Sequence, residues 1–194
     1  MSLLDFDRSP WRELRGGLVL LLLLPFFVLF LLIKLVLLPF ERPSHRPAED
    51  IAEALRHTVD STGSGWEFDD FISVPLADPR LESIRERALQ WDGGEDVQEL
   101  EVLADEAEAI ALADRTSLVE LLDRALSPEN VVPEDLDSAI PYPRSLGRLE
   151  TKAFEALSHW LDDGDIRARD AAYASRQREG LLRCLDPLRA EVRR

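Results

Sequence analysis

The stretch from Gly16 to Leu38 limits what this chain can become more than any other. It reads GGLVLLLLLPFFVLFLLIKLVLL, and the 17 positions from Gly17 to Ile33 carry no charge. At 1.5 Å per residue those positions reach about 25 Å as a helix, and continuation to Leu38 reaches about 33 Å, enough for a hydrocarbon core about 30 Å thick. Lys34 lies near the far end, where its four-carbon stem can carry the ammonium to the headgroups. The run therefore predicts a transmembrane helix in contact with membrane lipid. It is longer than the core of a signal peptide, about 7–15 residues, and Pro39, Phe40, Glu41, Arg42 and Pro43 follow it in place of a small-residue cleavage site. Pro25 removes one backbone bond and predicts a kink, which membrane helices tolerate.

Four segments follow from this anchor: a polar tail at 1–15, the span at 16–38, a Pro-rich linker at 39–47 and a soluble domain at 48–194. Arginines 8, 12 and 15 precede the span, while Lys34, Arg42, Arg46 and Arg56 lie at or beyond its end, so the positive-inside count nearly ties. The early position of the run matches a signal anchor, with the N-terminus inside and the domain outside. The domain is long enough for one core, and two independent cores are not expected.

The formal charge is −15, from 38 acidic and 23 basic residues. A surface of that sign repels nucleic acid and anionic lipid, which excludes nucleic-acid partners. The single cysteine, Cys184, cannot form an internal disulfide, so the domain must be stable without one.

Hydrophobic periodicity predicts a mainly α fold of about five to six helices. Ile51, Ala54, Leu55 and Val59 mark the first helix after Pro47. Trp66, Phe68, Phe71 and Ile72 put aromatic mass on a short helix, and Pro75 holds Ser73 to Leu76 extended. Asp78 and Pro79 form a helix start, with Leu81, Ile84, Ala88, Leu89 and Trp91 inward until Gly93 and Gly94. Leu100, Leu103, Ala104 and Ala107, then Leu118, Leu121, Leu122 and Ala125, form two stripes separated by Thr116 and Ser117, where the helix either stops or bends. Four prolines between Ser127 and Ser145 leave room for one short turn near Glu134 to Ala139. Ser145 then caps a helix carrying Leu146, Leu149, Ala153, Leu157 and Trp160, and Asp165 begins a last helix through Ile166, Leu181, Leu182, Leu185 and Leu188.

Chemistry is sparse. His45, His57 and His159 lie in separate elements without metal-ligand spacing, and Asp162-Asp163-Gly164-Asp165 lacks the alternating ligands of a calcium loop, so no metal or cofactor is expected. Cys184 lies beside a buried stripe, where a thiol packs as a small apolar group. No nucleophile elbow, phosphate loop or dinucleotide fingerprint occurs. Two places remain as candidates. Asp69 and Asp70, beside Trp66 and Phe71, could line a cleft and serve a tethered hydrolase, although adjacent helical carboxylates point about 100° apart. Asp92, Glu95, Asp96, Glu99, Glu101, Asp105, Glu106 and Glu108 form an acidic run without a basic residue, a candidate surface for a cationic protein partner. The last 30 residues carry eight arginines against five acids and fit against that acidic helix in the same chain or in a second copy, a homo-oligomer. The expectation is thus a single-pass membrane protein with a non-enzymatic interaction module, the hydrolase being the alternative.

Overall fold

The longest helix organises the domain. In the computed structural model, which describes residues 43–60, 66–91, 97–127 and 131–193, a helix from Gln98–Leu126 runs for 29 residues, about 43 Å, and most of the other helices pack on it. In chain order the α-helices are α1 Ala48–Val59, α2 Trp66–Ser73, α3 Pro79–Ala88, α4 Gln98–Leu126, α5 Pro133–Ala139, α6 Arg148–Asp162, α7 Gly164–Arg169 and α8 Ala171–Val192, with a 3-10 turn at Pro143–Ser145. Residues 43–194 form one compact unit. The domain is mainly α, as the periodicity predicts, with eight α-helices among the described residues in place of five to six. Among those residues no helix is long and apolar enough to cross a membrane. The predicted span at 16–38 and the tail at 1–15 lie outside the described residues, as do Asp92, Glu95 and Asp96.

The core divides into two apolar clusters with no residue in common. Ile51, Leu55, Phe71, Leu81 and Ile84 of α1 to α3 close on Leu100, Leu103, Ala104 and Ala107 of α4. Leu118, Leu121 and Leu122, about three to four turns beyond Ala107 along α4, meet Leu136, Ile140, Leu146, Ala153, Leu157, Leu181, Leu185 and Leu188. The Thr116-Ser117 signal marks this change of cluster, yet α4 continues through it. The Thr116 hydroxyl donates to the Leu112 carbonyl at 2.8 Å and so stays within the helix.

Local rules explain most of the boundaries. Asp78 caps α3 by accepting from Arg80 N–H at 2.9 Å, with Pro79 in the first turn. Asp135 accepts from the Val132 N–H at the start of α5. Asp170 interrupts the predicted last helix with an extended backbone and caps α8 through Tyr173 N–H at 2.9 Å. Ahead of α1 the chain is strapped down: Ser44 N–H donates to Pro75 O at 2.8 Å and Ala77 N–H to Ser44 O at 2.9 Å, a single parallel bridge to the segment that Pro75 holds extended.

Four apolar positions turn outward against expectation. Helix α3 ends at Ala88, so Leu89 is exposed, while Trp91 still packs edge-on against Phe68. Ser145 sits buried in the 3-10 turn, Gly147 takes the cap of α6, and the inward line becomes Leu146, Glu150, Ala153 and Leu157, which leaves Leu149 outside. Ile166 is exposed on the short α7, and Leu182 faces out because the stripe through Leu181, Leu185 and Leu188 already fills the α8 interface.

Candidate functional site

Between the two clusters lies a layer of buried charge. The Arg80 guanidinium forks onto Asp114 at 2.8 and 3.0 Å and also holds Asp78 at 2.7 Å, with the Tyr142 ring 5.9 Å from its centre. One residue on, Arg115 binds Glu150 at 2.6 Å and Glu49 of α1. Asp78, Asp114 and Glu150 are all buried. Both carboxylates raise the affinity of Arg80 for its proton above the ordinary guanidinium range. Sequence reading missed Glu150 because a glutamate on an apolar stripe resembles a surface residue. Its i+4 spacing from Leu146 was the available signal.

Beside Arg115, residues of α1 and α4 line a groove of about 880 Å³. Its lining combines the apolar Ala109, Ala111 and Leu112 with the acidic Glu49, Glu53, Asp60, Asp105, Glu108 and Glu191. Arg56 spans it, binding Asp105 at 3.1 Å and also Glu108. His57 stands at its edge with Nδ1 3.1 Å from Glu67 and Nε2 3.7 Å from Glu53. A smaller recess of about 250 Å³ beyond His57 adds Asp50, Glu67 and Asp70.

The predicted site residues separate accordingly. Asp105 and Glu108 line the groove, Glu101 lines a recess beside it, and Glu106 turns to Arg87 at 2.6 Å. Glu99 is exposed in the first turn of α4, where its charge suits the helix N-terminus. Phe71 is fully buried in the first cluster, Asp70 pairs at the surface with Arg46, and Asp69 is exposed with its carbonyl accepting from Ser73. The two aspartates therefore do not converge with Phe71 on a cleft. Trp66 begins α2, and Asp92, Glu95 and Asp96 lie outside the described residues.

The charge is unevenly shared. Residues 43–127 contain 21 acids and seven arginines, a net −14, whereas 128–194 contain 13 acids and 11 basic residues, a net −2, and 1–42 carry +1. All seven arginines of 43–127 stand in ion pairs, and the excess of acids belongs to the stretch that contributes both α1 and α4 to the groove. The basic C-terminal segment packs on the other half of α4, with Arg189 on Asp123. Cys184 is partly buried against the second cluster, its Sγ 3.9 Å from the Lys152 carbonyl, and burial raises its pKa. The Tyr173 hydroxyl and Gln177 amide donate to Asp163 at 2.5 and 2.8 Å, closing the turn that the acidic Asp162 to Asp165 sequence forms. Comparison with protein-family models, curated proteins and solved structures finds no match.

Proposed function

We propose that this chain is a single-pass membrane protein whose helical domain is a non-enzymatic interaction module, and that its α1/α4 groove receives a cationic segment of a partner protein. The observation that carries the reading is the acid-lined groove between α1 and α4, both drawn from residues 43–127, whose net charge is −14. Rims of one sign steer and select partners of the other, and the apolar strip at Leu112 offers contact for an aliphatic side chain between basic ones. The anchor part of the proposal rests on the Gly16 to Leu38 run, which would confine the groove to one face of a bilayer.

A labelled helical peptide with lysines and arginines along one face tests the groove by fluorescence anisotropy on the full chain in non-ionic detergent. The paired reversal Asp105→Lys and Glu108→Lys should weaken binding at least about tenfold, with affinity falling as salt rises. Unchanged affinity after reversal would remove the groove from the reading. Recovery of the full chain from the aqueous fraction of cells without detergent would remove the anchor, and a topology reporter fused at Arg194 would show which side the domain occupies.

A further inference from the structure

The two apolar clusters differ in more than position. No helix among α1 to α3 packs along any helix among α5 to α8; each group packs on α4 and meets the other chiefly through the charged layer. Glu49, Asp78 and Arg80 reach that layer from the first group, and Glu150 and Tyr142 from the second, against Asp114 and Arg115 of α4. Together with the first half of α4, the first group also carries nearly all the excess charge: residues 43–111 hold 18 acids against five arginines, every one of them already paired, whereas 112–194 hold 16 acids against 13 basic residues. Asp60, at the C-terminal end of α1, adds a charge of the wrong sign for the helix dipole.

We infer that the half built on α1 to α3 opens as a separate cooperative unit whose stability is set by charge screening, while α5 to α8 stay closed on the second half of α4. Cations in solution, or on a bound partner, then close the acidic half without altering the other. This rests on the division of the core and on the charge count, independently of the proposed docking function.

Hydrogen exchange read by mass spectrometry on the full chain in non-ionic detergent tests it. Between about 10 mM and 1 M sodium chloride the screening length falls from about 30 to 3 Å, so amide protection in α1, α2 and α3 should rise roughly tenfold while that in α6 and α8 moves less than about twofold. The variant Asp60→Asn should raise protection of α1 to α3 at low salt and have little effect at high salt. Equal protection and equal salt response in both groups would mean one global opening and would overturn the inference, as would earlier opening of α6 and α8. Adding octa-arginine at low salt supplies a separate arm. Protection confined to α1 to α3 extends the inference to a bound cation, whereas a salt effect without a peptide effect leaves the separate unit standing and counts against the docking proposal.

Discussion

Replacing Arg115 by methionine examines the charged layer most directly. Among the described residues its guanidinium is the cation paired with Glu150, whose side chain is 5% exposed, and it also holds Glu49, which is 47% exposed. Methionine keeps most of the stem volume but strands a carboxylate in the interior, a change that costs about 3–5 kcal/mol. For a domain of this size each kcal/mol moves the midpoint by about 2–4 °C, so Arg115→Met should lower Tm by about 10 °C. Removing the charge with its partner reverses most of that loss: Arg115→Met with Glu150→Leu should lie within about 1–2 kcal/mol of the wild type, because paired burial and apolar burial are close in free energy. Glu49→Gln, at the exposed end of the same cation, should cost less than about 1 kcal/mol. Circular dichroism of the full chain in non-ionic detergent, against urea and against temperature, compares these three variants and the single Glu150→Leu with the wild type. An additive double variant, or an Arg115→Met loss under about 1 kcal/mol, would refute the argument that this layer behaves as protein interior.

Phe71→Ala should cost about 3–5 kcal/mol in the same urea titration, and Asp70→Asn under about 1 kcal/mol, since the ring fills the first cluster while the carboxylate makes one surface ion pair. Glu82 accepts from Arg85 and from Leu76 N–H, which lowers its pKa, so the stability it supplies is complete above its unfolded value near 4.5 and is lost as pH falls through the lower folded value. Glu82→Gln should therefore destabilise at pH 7, and the difference from wild type should shrink as the pH falls below the unfolded value and through the lower folded one. Cys184, partly buried and with a raised pKa, should react with a disulfide reagent at neutral pH at least about tenfold more slowly than in urea.

The helical class, the Asp78-Pro79 start and the two stripes of α4 were legible because each depends on spacing within one segment. Burial that depends on distant partners was not. Leu149 carries the same apolar signal as Leu146, and only the position of Arg115 on another helix explains why Glu150 takes the inward place. Thr116 and Ser117 read as a helix end because capping residues and residues that bond back into their own helix have the same composition. Asp170 broke the last helix where its arginine-rich surroundings gave no apolar register to show the change of direction. For the groove, the acids of α4 were visible as a run, but their facing partners Glu49 and Glu53 lie about fifty residues earlier in the chain and become neighbours only once α1 has packed.

The bridge at Ser44 has a mechanical meaning. Its two bonds, to Pro75 and from Ala77, clasp the chain just before α1, and Arg46 on Asp70 adds a third link close by. A pull arriving along the backbone from the N-terminal side must load this clasp before it can peel α1 from α4. The groove wall that α1 supplies is thereby shielded from tension until the clasp gives way.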